Sequence, residues 1–164
     1  MYSISQLLIE QVRVRIFKEN IPRIKQCLET LTEAEIWYRP NNNSNAVGNL
    51  VLHLCGNARQ WIVAGLTDQP DTRDRNYEFE ERGPLPTAQL VQLLDQTQEE
   101  IEAVLSQLSP ADLEREYDVQ VFRESGLGIL VHVIEHFSYH SGQITYFVKA
   151  RKNIDTGYYR QLDL

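Results

Sequence analysis

The chain has 164 residues, enough for one domain with a single sizeable core, and its 42% hydrophobic and 24% charged content is ordinary for a globular protein. Its 16 basic and 23 acidic residues leave a formal net charge of −7, which argues against a broad phosphate-binding surface and so against nucleic acid as a partner. No apolar run approaches a membrane span, and Leu7-Leu8-Ile9, followed by Glu10, Arg13 and Arg15, is too short for the apolar centre of a signal peptide.

The two cysteines, Cys27 and Cys55, lie in segments that read as amphipathic helix, where a reduced, half-buried thiol is the usual state. A reducing cytoplasm is the expected setting. Val14, Phe17, Ile21, Ile24, Leu28 and Leu31 recur at steps of three and four, the stripe of a first long helix. Pro22 removes a backbone donor there, so a kink, or a break at Asn20-Ile21, is expected. Thr32 and Glu35 have capping-box spacing for a short turn over Glu33 to Trp37, which Arg39-Pro40 stops.

Asn41 to Asn45 is a polar turn, and a second helix runs from about Ala46 to Leu66 with Val47, Leu50, Val51, Leu54, Ala58, Trp61 and Ile62 inward. His53 stands roughly 120° from the middle of that stripe, with Asn57 on the same flank, and Cys55 points about 160° away from His53. His53 and Cys55 therefore cannot share an ion. Thr67 to Pro86 has no clear period; it is either a lid or a solvated excursion whose charged segment, Arg73 to Arg82, pairs internally.

Thr87 is placed as the cap of a third helix, to about Leu108, with Leu90, Leu94, Thr97, Ile101, Val104 and Leu108 inward. Ser109-Pro110-Ala111-Asp112 starts a short turn, and Tyr117 to Phe122 alternates weakly enough to be extended. Ser125-Gly126 opens a fourth long helix to about Arg151, and Asn153 to Leu164 reads as an irregular tail. Four long helices without a convincing sheet make residues 1–164 a single all-α domain, a four-helix bundle with a long loop between its second and third helices.

Three of the four histidines, His132, His136 and His140, stand four residues apart in the fourth helix. Neighbours at that spacing are roughly 6 Å apart along the axis and can share an ion; the outer two, roughly 12 Å apart, cannot. Against the apolar face of Ile129, Leu130, Val133, Phe137, Ile144, Phe147 and Val148, His140 lies about 30° from the centre, His136 about 70° and His132 about 110°. The pair pointing inward is His136 and His140. The remaining histidine, His53, is the natural third ligand, although spacing permits this meeting without requiring it. Three imidazoles plus open positions is the pattern of catalytic zinc, and imidazole suits nickel, iron and copper as well.

Asn49-Leu50-Val51-Leu52-His53-Leu54-Cys55-Gly56-Asn57 and His136-Phe137-Ser138-Tyr139-His140-Ser141-Gly142-Gln143-Ile144, with the loop Arg73 to Glu80 between them, resemble the DinB-like (DinB/YfiT-type) superfamily, in a subgroup of undefined function. The resemblance runs over most of the chain. It implies a bundle in which His53, His136 and His140 hold a divalent ion, often nickel or zinc, and it implies a homodimer. Some relatives are thiol transferases acting with bacillithiol, mycothiol or glutathione, and one is a mycothiol-dependent isomerase. The expected function is thus a metal-dependent thiol transferase, whose partners are a small thiol and an electrophile. In that reading Asn57, Tyr139 or Gln143 would orient the imidazoles, and Arg73 or Arg75 would meet a carboxylate of the thiol. A water-activating hydrolase ranks lower, because Glu135 points away from the bundle. A non-catalytic dimeric binding bundle is the third reading.

Overall fold

The computed structural model describes residues 2–83 and 85–160. Pro84, read above as part of the long connection, and residues 161–164 of the irregular tail lie outside the described residues, as does Met1.

The first rod is α1 (Ile4–Val12), a π-helical stretch (Arg13–Asn20) and α2 (Ile21–Thr30) in one run. Pro22 neither breaks nor separates it. Asn20 and Ile21 keep right-handed helical torsions, and the Ile21 N–H donates five residues back, to the Ile16 carbonyl. The wider turn shifts the preceding carbonyls, with which a proline ring would otherwise collide. The Asn20 side chain fills in, its amide donating to the Arg15 carbonyl at 2.7 Å.

The capping box of Thr32 and Glu35 starts α3 (Glu33–Ile36) as expected. α4 (Val47–Ala58) continues into a second π-helical stretch, Arg59–Ala64. Its first residue follows Ala46 rather than one of the asparagines; Asn49 Oδ1 reaches back to accept the Ala46 N–H at 3.3 Å. The long connection is not structureless. Asp74 caps α5 (Arg75–Glu80) by accepting the Tyr77 N–H at 3.0 Å, and α5 packs on α4. The consequence is that α4 is buried on nearly every side, Val47 to Cys55 without a gap.

α6 (Thr87–Leu105) begins after Pro86, so Thr87 is its first residue rather than its cap, and it ends three residues before Leu108. Ser109 and Asp112 form the capping box of α7 (Pro110–Glu114). β1 (Glu116–Val119) and β2 (Phe122–Ser125) pair antiparallel with Val119 opposite Phe122, and Gln120 takes the positive φ of 56° in the tight turn. Ser125 caps α8 (Gly126–Lys152), and Asn153 closes it in the left-handed conformation.

α6 and α8 each pack against both α2 and α4, so the four rods form a closed bundle with a hairpin at one end. Ile16, Ile24, Leu28, Leu54, Ile62, Leu94, Ile101 and Phe137 fill it. Among the described residues no helix is long and apolar enough to cross a membrane. Leu94 is fully buried on α6, a helix that carries none of the four histidines. Leu94→Ala is therefore expected to cost about 2–5 kcal/mol in urea unfolding without altering what the histidines bind; a loss under about 1 kcal/mol contradicts this packing.

Candidate metal centre

α4, with its π-helical continuation, and α8 run antiparallel along a shared seam, which sets Trp61 and Asn57 opposite His132, and His53 opposite His136 and His140. The expected convergence occurs: one ligand atom from each of His53, His136 and His140 lies within 4.8 Å of the others. His53 Nε2 and His136 Nε2 are 3.0 Å apart. Two nitrogens bound to one ion at about 2.0–2.1 Å stand roughly 2.8–3.4 Å apart between a right and a tetrahedral angle, so the pair has the separation of two ligands of a single ion. His53 is 7% exposed and His140 9%, while His136 is half-buried.

The far nitrogens are held as well. His140 Nδ1 lies 2.8 Å from Gln143 Oε1; since that oxygen only accepts, Nδ1 carries the proton and Nε2 is the free ligand atom. Gln143, one of three residues expected to orient the rings, does so. Tyr139 meets His140 only through an edge-on ring contact, and Asn57 faces His132 Nε2 at 3.5 Å rather than a ring of the triad. His132 stays at the rim, half-buried with its ring 4.0 Å from that of Trp61.

The partner of His53 was not legible in the sequence. It is Glu78 of α5, whose Oε2 lies 2.9 Å from His53 Nδ1. Arg73 grips the same carboxylate, Nε to Oε1 at 2.6 Å and Nη2 to Oε2 at 2.8 Å, and donates through Nη1 to Gln60 Oε1 at 2.7 Å. Both side chains are buried, 3% exposed for Arg73 and 5% for Glu78. The charged segment pairs internally, as one reading expected, and most of it is exposed, but that pair is buried rather than solvated, and Arg73 is not free to receive a substrate carboxylate. Only Asp74, a good cap before a six-residue helix too short to show a period, marked the segment.

Burial pushes the Glu78 carboxyl up, and the hydrogen bonds from Arg73 and His53 more than reverse this, leaving it below the usual carboxylate range. Burial holds His136 down, to about 3, helped by the neighbouring His140, His53, His132 and Arg73 charges; burial also lowers His140 and His132. His136 and His140 are therefore neutral near pH 7, the form that binds a metal ion. Burial raises the Cys55 thiol to about 11 and raises Cys27 as well, so neither is a ready nucleophile.

These shifts set an acid dependence. The unfolded chain takes up protons on its imidazoles below about 6.5, whereas folded His136 resists until about 3, so stability is full above about pH 6.5 and falls as the pH drops toward 3. In chelator-treated protein, the urea midpoint of His136→Gln should fall less between about pH 7 and about pH 4 than that of the wild type. Equal falls contradict the burial of a neutral His136.

The family model described as "Protein of unknown function (DUF1572)" matches residues 3–162. Among solved structures, the DinB-like protein YjoA of Bacillus subtilis is similar at TM-score 0.66 and 20% identity, over 88% of this chain and 94% of that one. A conserved protein from Enterococcus faecalis is similar at TM-score 0.70 and 20% identity, over 91% and 97% of the two chains. A DinB-like protein from Bacillus cereus is similar at TM-score 0.63 and 17% identity, over 85% and 90%. At such identities these likenesses show the fold. A comparison with curated proteins finds no match. By the extent of the family match the chain belongs to DUF1572, a family of unknown function, and its fold is like that of the DinB-like structures.

Proposed function

We propose that the protein binds one divalent ion, nickel or zinc, through His53, His136 and His140, and uses it to transfer a low-molecular-weight thiol to an electrophile. The observation that carries this reading is the meeting of three imidazoles from two helices within 4.8 Å, with the far nitrogens of His53 and His140 already occupied. A divalent ion held there supplies acidification of a thiol, so that the thiolate is present at neutral pH.

The chain's own residues divide the remaining work. The half-buried ring of His136 marks the accessible side of the site. Phe79 packs against His53 with ring centroids 4.8 Å apart, and Arg75 lies over Phe79 at 5.0 Å. Arg75 is exposed, so in this reading it receives a carboxylate of the incoming thiol in place of the committed Arg73. The thiol comes from outside, because Cys27 and Cys55 are buried and raised. Its sulfur forms the new C–S bond with its lone pair, its proton is released, and the leaving group departs with its bonding electrons. A reducing cytoplasmic setting and a homodimer belong to the same proposal.

Hydrolysis is less well served. A water-activating site wants a carboxylate base beside the open positions, whereas Glu78 sits behind His53 and Glu135 is exposed on the outer face of α8.

Elemental analysis of protein purified without chelators should give close to one ion per chain for the wild type and for His132→Ala. His53→Ala, His136→Ala and His140→Ala should each lose it. Wild type that takes up neither nickel nor zinc contradicts the site. In loaded protein, a panel of small thiols with a standard electrophile should show conjugation that falls at least about 100-fold in His53→Ala; metal-loaded wild type inert with every thiol contradicts the transferase reading alone.

A further inference from the structure

We infer that Glu78 is a positioning residue of the three-histidine site, and that the segment carrying α5 is docked on α4 in order to deliver it. The second half of this inference rests on the metal-binding reading above; the first does not.

A buried ion pair in a connecting segment asks for an account, because taking two charges out of water offsets much of their attraction. Arg73 and Glu78 are nearly inaccessible although the residues around them, Asp71, Thr72, Asp74, Arg75 and Asn76, are exposed. The rest of the segment is arranged around that burial. Asn49, fully buried on α4, donates to the carbonyls of Glu78 at 3.0 Å and Glu81 at 2.9 Å. Arg39 donates to the Phe79 carbonyl at 2.6 Å. Gly56 leaves the necessary room: a Cβ at that position would stand 1.9 Å from Glu78 Oε1. Backbone clamps and an absent side chain thus place one carboxylate behind one imidazole.

What the carboxylate does there follows from hydrogen-bond chemistry. Paired with Arg73, the carboxylate can only accept, and its 2.9 Å contact with His53 Nδ1 favours the proton on that nitrogen over acceptance there from Arg73 Nη2, 3.1 Å away; Nε2 then keeps its lone pair. The Arg73 fork fixes both oxygens, and Oε2, the one that meets the ring, thereby fixes the direction of Nδ1. Nε2 is thereby held toward His136, 3.0 Å away. Gln143 performs the same office for His140 from within α8, so two ligands on different helices are each locked from behind.

The test uses full-length protein in two arms. Nitrogen-15 NMR of metal-free wild type near neutral pH should show His53 as the Nδ1–H tautomer, and zinc competition with a chromophoric chelator should give its affinity. Glu78→Ala should lose the tautomer preference and weaken zinc binding about 10–100-fold. Glu78→Gln, which keeps an acceptor oxygen, should regain most of both. Glu78→Leu with Arg73→Met keeps an apolar packed segment without the charges; it should stay folded and still lose both. Asp74→Ala, which weakens the α5 cap away from the rings, should lower the melting temperature while leaving affinity unchanged. Zinc affinity or tautomer unchanged in Glu78→Ala and in the double variant overturns the inference, as does a loss in Asp74→Ala equal to that in Glu78→Ala. If wild type binds no zinc, the metal reading fails while the tautomer arm still decides the role of Glu78.

Discussion

The antiparallel contact between α4 and α8 is the constraint on which the rest depends. Its register brings His53 level with His136 and His140 while leaving His132 one turn down beside Trp61. Slide one helix by a turn and the three nitrogens no longer meet. The apolar packing that fixes this register, Leu54 and Val51 on one side and Val133, Phe137 and Ile144 on the other, is therefore also what makes the site. Core packing density leaves little freedom for such a slip, so the geometry is prepared before any ligand arrives.

Polar groups within that seam are expensive unless paired, and the chain pairs them in layers. The rings face one another across a small space; behind them stand Gln143 and Glu78, and behind Glu78 stand Arg73 and Gln60. α5 closes the side of α4 that a bare four-helix bundle would leave to solvent. A segment that looks like an insertion between helices is in this sense part of the wall of the site. Burial at the same time keeps His136 and His140 neutral and both cysteines protonated, which separates metal-binding groups from thiol chemistry within one chain.

The frame of the protein could be read from its residues because long helices carry period. The stripe of α8 placed His140 inward, and it is buried, whereas His136 and His132, placed nearer the rim, are both half-buried. The capping box at Thr32 and the short turn opened by Ser109-Pro110 are local chemistry and were equally legible. Three features were not. The π-helical accommodation of Pro22 depends on how upstream carbonyls move, which no spacing records. α5 is too short to show a stripe, and its buried pair looks in sequence like any other charged loop. Glu78 lies 25 residues from His53, so their meeting is a product of tertiary docking alone. Side-chain partners from the same helix, such as Gln143 for His140, were accessible to spacing; partners from another element were not.

The most direct measurement is anomalous diffraction at the absorption edge of the ion, from crystals grown with nickel or zinc. The account predicts a single strong peak per chain within bonding distance of Nε2 of His53, His136 and His140, with His132 uncoordinated. A peak bound to His132 and His136 instead, or no peak among these rings at saturating metal, would contradict it.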